Sequence, residues 1–393
     1  AGEFGSTLFR VSADLNPAMI EGLAMSIENN YDDYQVHYMA KLAFEAGYKF
    51  PIEKLFSGFI FFSQISSISY IYAGSFLKYL EDKFGISKIK YLYEANDFQK
   101  VYGKNLNELA KDYELFLESY KIKFNKNEAQ LYFGGVSIFK KYCPRMAASD
   151  VKNAWELYKN KKYSEALDLF KNVYDYSNSY QSLLGVVSSY SVGKKYPAAA
   201  EFLSNQIVNF RSSQFYYSLE LILADLLIKT NQSVKAMSLY DSLLVQNPHI
   251  DFTNEILIRK SILEEGVDSL KNYFNYNRKL KLQKILSLNS KGIKYFSIPT
   301  LINLSDNDNY GLDNLITKLK SNIQVQDFSS SYAALEISKY ALRNLDYETA
   351  QNFAVRSLDF RKDDNRDHMF IENLRMVNWF KNNHDEIKIT YSK

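Results

Sequence analysis

At 393 residues, 46% hydrophobic and 24% charged, the chain has the composition of a globular protein with a sizeable core and room for two or three domains. Its 48 Lys and Arg against 45 Asp and Glu leave a net charge of +3, and no segment concentrates basic residues beside base-stacking aromatics, so nucleic-acid binding has no support. The single Cys143 rules out an intramolecular disulfide and any paired-cysteine metal motif, which suits a cytosolic protein or a disulfide-free one outside the cytoplasm. Six prolines and 15 glycines are sparse punctuation for this length and predict long helices, an all-α class. The 32 Tyr and 27 Phe recur at helical spacing beside Leu and Ile, which is a packing pattern.

In chain order, residues 1–7 come first, and their Glu3-Phe4 and Gly5-Ser6 pairs are what two common restriction sites encode in frame. They read as a cloning scar, with natural sequence expected from about Leu8 and no information on a signal peptide. Residues 8–125 are expected to form a helical subdomain. It contains NPAMIEGLAMSIENNY, with Pro17, Glu21, Gly22, Leu23 and Ala24. Downstream lie the run Tyr70-Ile71-Tyr72-Ala73-Gly74-Ser75-Phe76-Leu77, then Phe84-Gly85, then Tyr102-Gly103-Lys104-Asn105-Leu106 with Leu109 and Tyr113.

In this order the motifs resemble the C-terminal helical subdomain of gluzincin metallopeptidases of the peptidase MA-like group, over about Asn16 to Glu118. In that family two histidines of an HExxH helix bind zinc, its glutamate activates a water, and a glutamate on a following helix completes the site. The resemblance implies Glu21 as the third zinc ligand and Tyr70 or Tyr72 as the phenol that steadies a tetrahedral intermediate. This chain contains no HExxH: its four histidines, His37, His249, His368 and His384, are isolated from one another, and Ala18 stands where the family often has Trp. The expectation is therefore a truncated or inactive peptidase-like subdomain, with no catalytic residue and no cofactor complete in this chain. A zinc-binding parent would have its HExxH roughly 15 to 30 residues before Glu21. If a metal were held here after all, His37 with Asp32 or Asp33 would be the ligands to reinstate. Related peptidase-like proteins with repeat tails imply a bacterial, extracytoplasmic cell-envelope setting over a cytoplasmic one.

Leu55 to Leu77 runs 23 residues without a charge, long enough to span a bilayer. Its six serines, Gln64 and two glycines fit two buried helices better, so no transmembrane span is expected.

After a linker expected over 126–150, residues 151–393 read as a helical repeat array. Tyr163, Ala166 and Phe170 are spaced by three and four, and Tyr196, Ala199 and Leu203 repeat the spacing 33 positions later. A third copy has Ala236 and Tyr240 with Pro248 twelve residues after the alanine, and a fourth has Tyr347 and Ala350. This resembles the tetratricopeptide repeat, in which each unit is two antiparallel helices and a small residue on the second lets the first come close. Trp155, Leu157 and Tyr158 with Ala166 and Phe170 make an apolar face that one unit cannot cover, so neighbours must stack into an elongated solenoid with a groove.

Between Asp251 and Gln326 the frame is lost while apolar stripes persist, predicting degenerate or lengthened pairs. Asp306-Asn307-Asp308-Asn309-Tyr310-Gly311 begins like a calcium loop but has Tyr310 and Thr317 at ligand positions five and twelve. It reads instead as a polar turn with Asp313 capping the next helix. A terminal helix over Asp367 to Asn383, with Met369, Leu374, Val377 and Phe380 on one face, is expected to cap the array. The function expected is a scaffold holding a protein or peptide partner in the repeat groove. The alternatives are a fragment of an active zinc metallopeptidase, an unrelated helical N-terminal domain on a plain repeat scaffold, or an accessory subunit of an envelope assembly.

Overall fold

The structure is a computed structural model that describes residues 16–56, 61, 66–134, 144–290, 292–305, 310–360 and 367–391. It is 79% helical, with 22 α-helices among the described residues, as the composition predicts. Two compact units form: one joins residues 1–129 to 314–393, the other is 130–313. Residues 1–7, Cys143 and Asp306–Asn309, the segment expected to form a polar turn, lie outside the described residues. Among the described residues no helix is long and apolar enough to cross a membrane.

The first unit opens with α1 (Pro17–Glu28), a two-residue antiparallel hairpin of β1 (Asn30–Tyr31) and β2 (Tyr34–Gln35), α2 (Val36–Glu45) and α3 (Ile52–Leu55). It continues with α4 (Ser66–Phe84), α5 (Ile86–Ala95), α6 (Phe98–Tyr102), α7 (Leu106–Ser119) and α8 (Lys126–Phe133). Helix α1 lies directly on α4. A Cβ on Gly22 would sit 3.0 Å from Ala73, and one on Gly74 would sit 2.3 Å from Met25, so both glycines are there to let the helices approach. Beneath them Phe56, Phe76, Tyr79, Tyr113 and Phe116 form a chain of ring contacts at centroid distances of 5.0–6.1 Å.

The second unit is built of helix pairs: α9 (Pro144–Lys159) with α10 (Tyr163–Ser177), α11 (Tyr180–Val192) with α12 (Tyr196–Gln206), and α13 (Tyr216–Lys229) with α14 (Ser233–Gln246). It goes on through α15 (Ile250–Leu263), α16 (Val267–Asn275), α17 (Arg278–Leu288) and α18 (Ile298–Leu304). Helix α19 (Tyr310–Asn322) then leads to α20 (Phe328–Arg343), α21 (Tyr347–Arg356) and α22 (Asp367–Tyr391), which complete the first unit. Asp313 stands in the first turn of α19, not at its cap. Helices α8 and α9 occupy much of the segment read as a linker.

Four turns are alike. Lys161, Lys194, Asn231 and Leu345 adopt left-handed backbone, with φ of 62°, 55°, 61° and 59°. In each, that residue's N–H donates three residues back and the next residue's N–H five back, as in Lys161 to Tyr158 and Lys162 to Leu157. These bonds satisfy carbonyls that the end of the first helix would otherwise leave without partners. The second helix begins at once, and the N–H groups of Ala166, Ala199, Ala236 and Ala350 close its first turn on Lys162, Lys195, Gln232 and Asp346. All four alanines are fully buried. The pair α15 and α16 is joined by a turn of the same three-residue length but different geometry, with Gly266 at φ 122° and the buried Leu270 in the alanine's place, so the alanine is missing from the sequence pattern there.

The fourth alanine pair, α20 and α21, packs with α22 in the first unit, where Ala341, Ala350, Ala354 and Val377 form one cluster. It is joined to the N-terminal hairpin by the Tyr332 hydroxyl, which donates to Asp33 Oδ2 at 3.3 Å, and by Gln35 Nε2, which donates to His368 Nδ1 at 2.9 Å.

Between α10 and α11 the approach is closest at Gly185, where an added Cβ would lie 2.3 Å from the buried ring of Phe170. Phe170 is itself held edge-on to Trp155 at 4.9 Å and cannot swing away. Gly185→Ala is expected to cost about 1–3 kcal/mol, although alanine favours the helix by about 1 kcal/mol. Gly193→Ala, whose Cβ meets nothing nearer than 3.5 Å, is expected to be neutral or stabilising. Urea midpoints for the two variants test this, and equal midpoints would mean that α10 and α11 are not in close contact.

Candidate functional site

Helix α1 is fixed at its start by Asn16, whose Oδ1 accepts from Ala18 N–H at 3.0 Å while its Nδ2 donates to the Phe56 carbonyl at 2.7 Å. One turn on, Glu21 is half-buried. Tyr70 on α4 stands close enough to feel it: burial first, and the Glu21 charge second, raise the phenol's pKa. Tyr72, two residues along α4, faces the opposite way. It is 2% exposed, its hydroxyl has no hydrogen-bond partner among the described residues, and burial, then Glu114, push its pKa up. Glu21 and Tyr70 are thus brought together and Tyr72 is not. A catalytic zinc takes three protein ligands. Among the described residues no group of three or more His, Cys, Asp and Glu side chains converges, and Glu21 belongs to no such group there.

His37 does not join Asp32 or Asp33 in a ligand set. Its Nδ1 lies 2.8 Å from Ser75 Oγ and its Nε2 3.3 Å from Asp82 Oδ2, both on α4. Asp82 can only accept, so Nε2 carries the proton and the Ser75 hydroxyl donates to Nδ1. A serine, a histidine and an aspartate linked in series have the composition of a hydrolytic triad. Here the order is inside out. Ser75 is fully buried while the Asp82 side chain is 53% exposed, so the hydroxyl that would attack is the atom a substrate cannot reach. The chain is structural: it satisfies a buried imidazole wedged against Phe116 and Tyr120.

The second unit holds a larger feature. A groove of about 670 Å³ is lined by Tyr158 of α9, Leu184 to Val192 on one face of α11, Ile222, Asp225, Leu226 and Lys229 on one face of α13, and Glu255 and Arg259 of α15. Tyr196, Tyr273, Phe274, Lys281, Thr300 and Leu304 complete it. Most of it is made by the first helices of successive pairs, with Tyr196, Tyr273 and Phe274 added from second helices. Arg259 is its electrostatic centre. Its Nε and Nη2 donate to Asp225 at 2.9 and 3.1 Å, its Nη1 reaches Glu255, and Tyr240 donates to Asp225 at 2.6 Å. This bidentate, half-buried pair ties α13, α14 and α15 into one body.

The groove is not evident as a site in the sequence. Its signal is present only in part, since 222, 225, 226 and 229 follow helical spacing on a face mixing apolar and charged residues. The pairing of Arg259 with Asp225, 34 residues away, has no local signature. No protein-family model, curated protein or solved structure matches the chain.

The His37 arrangement makes a prediction about acid. Burial lowers its pKa below the ordinary 6.5, outweighing the opposing pull of Asp82. Burial lowers that of His368 as well. Below its ordinary pKa the unfolded chain takes up protons that the folded one resists, so stability should be full above that value and fall as the pH drops through it. Denaturation between about pH 7 and pH 5 should show this loss, with a shallower slope in His37→Gln. An identical slope in that variant would assign the loss to other groups.

Proposed function

We propose that the chain is a protein-interaction scaffold. In this reading the helix pairs of residues 130–313 are a tetratricopeptide-like array whose groove holds an extended segment of a partner protein. The first unit is a gluzincin-like helical subdomain kept as a fold and not as a catalyst. The groove carries the proposal. Its volume is about 670 Å³, it is built mostly from the repeated first helices, and it offers both rings and charged groups. Four turns of one geometry, each followed by a buried alanine, support the repeat reading.

The test fills the groove. Ser188 is half-buried on its α11 wall, away from the fully buried core. Peptides selected from a random display library against the intact protein should lose about tenfold or more in affinity for a Ser188→Trp variant of unchanged melting temperature. Selected peptides that bind both proteins equally would place binding elsewhere and remove the proposal.

A second reading, part of an active zinc metallopeptidase, draws on the half-buried Glu21 beside Tyr70. Under the scaffold reading the purified chain should hold no stoichiometric zinc, show no chelator-sensitive peptidase activity and tolerate Glu21→Gln. About one zinc per chain, lost on that substitution, would favour the second reading.

A further inference from the structure

Resting on the scaffold reading, we infer that the partner segment is acidic, and that a side-chain carboxylate of an extended peptide is held by Lys229 and Lys281. The charged groups of the groove are Asp225, Lys229, Glu255, Arg259 and Lys281. The carboxylates are already engaged. Asp225 accepts from Arg259 and Tyr240, while Glu255 accepts from Arg259 on one oxygen and from Thr300, at 3.4 Å, on the other.

The two lysines are placed differently. Neither makes an ion pair or a hydrogen bond with a described residue. The Lys229 ammonium rests 4.8 Å from the Tyr196 ring centre and 5.7 Å from that of Phe274, and Lys281 lies 5.7 Å from that of Tyr273. Rings hold the two cations partly out of water without neutralising them. Burial lowers the Lys229 pKa against the opposing pull of Asp225, and the nearby Lys281 charge lowers it further, so an anion placed between the two lysines favours both.

Charge counting selects the anion. Three cations stand against two carboxylates, which leaves one positive charge in the groove. One carboxylate balances it. A phosphate dianion would overshoot and add its second charge beside Asp225 and Glu255. The lining includes residues of helices from α9 to α18, Tyr158 to Leu304, and in this proposal a continuous peptide presents a side chain to the lysines. Half-buried rings such as Tyr158, Tyr196 and Phe274 are available to the apolar neighbours of the acidic residue.

The experiment uses the full chain and fluorescein-labelled peptides of one length and an amidated C-terminus, taken from the groove-selected set. The central position carries Glu, Gln, Lys or phosphoserine, and affinity is read by anisotropy. The Glu peptide should bind about tenfold tighter than the Gln peptide and weaken with salt. Lys229→Met and Lys281→Met should each remove most of that preference, read as the ratio of Glu-peptide to Gln-peptide affinity within each variant, at an unchanged melting temperature. Lys281→Glu should shift the preference toward the Lys peptide. Equal binding of Glu and Gln peptides, both still abolished by Ser188→Trp, would overturn the acidic partner and leave the scaffold standing. Absence of any peptide sensitive to Ser188→Trp would overturn both. Tighter binding of phosphoserine than Glu, or binding that needs a free C-terminus, would overturn the side-chain carboxylate.

Discussion

Four of the helix pairs depend on one contact: a methyl group at the start of the second helix where the first must pass, a slot that Leu270 fills in the pair α15 and α16. Ala166 shares a cluster with Ala154, Phe170 and Val186, and Ala199 shares one with Leu183 and Val187. The left-handed residue before each second helix reverses the chain in the fewest residues and satisfies the carbonyls of the helix it ends. Lys161, Lys194 and Leu345 adopt that conformation without being glycine, at a cost of about 1–2 kcal/mol. The packing behind them has to offset it. With the pair angle set in this way, large rings fill the space within and between pairs: Phe170 meets Trp155 of its own pair and Gly185 of the next.

The groove is a consequence of the same constraint. A first helix has two useful faces: one is committed to its own pair and the other is turned to its counterparts in neighbouring pairs. Helix α11 shows the division, with Leu183 and Val187 packed on Ala199 and Leu203 of its own pair, Gly185 toward Phe170 of the preceding pair, and Leu184, Ser188 and Ser191 toward the groove. Where charges fall on the second face they are brought together across pairs, and Arg259 then determines which carboxylates are engaged and which cations remain open.

How far the sequence reveals this follows from distance along the chain. The alanine and tyrosine spacing is local, so Ala166, Ala199, Ala236 and Ala350 are recognisable from residue order alone. The pair around Leu270 escapes because a larger residue fills the same slot, so the helical stripe survives and the motif does not. The placement of α20 to α22 in the first unit is not legible at all: it shows in polar contacts such as Tyr332 to Asp33, 299 residues apart. Within the uncharged run Leu55–Leu77, expected to form two buried helices, the described part from Ser66 onward is helix and its serines have somewhere to bond. Ser69 donates to the Phe61 carbonyl at 2.8 Å and Ser75 is spent on His37. The groove lysines are illegible for a different reason. Whether a lysine is open depends on which carboxylates are already taken, and that is a property of four helices at once.

The resemblance of the N-terminal part to a metallopeptidase subdomain divides cleanly when set against the packing. Gly22, Ala73 and Gly74 must be small because α1 lies on α4 with a clearance of 3.0 Å or less for an added Cβ, and this holds whether or not any metal was ever bound nearby. Leu23 is core, as are Phe76 and Leu77, so most of the motif would recur in any chain that crosses these two helices this closely. Glu21 and Tyr70 are the exceptions. Both are half-buried, neither is required by the crossing, and the tyrosine is held where the carboxylate acts on it. Chemical meaning in this motif therefore rests on those two side chains, and a substitution at Glu21 separates it from the fold in a way that no change at the glycines could.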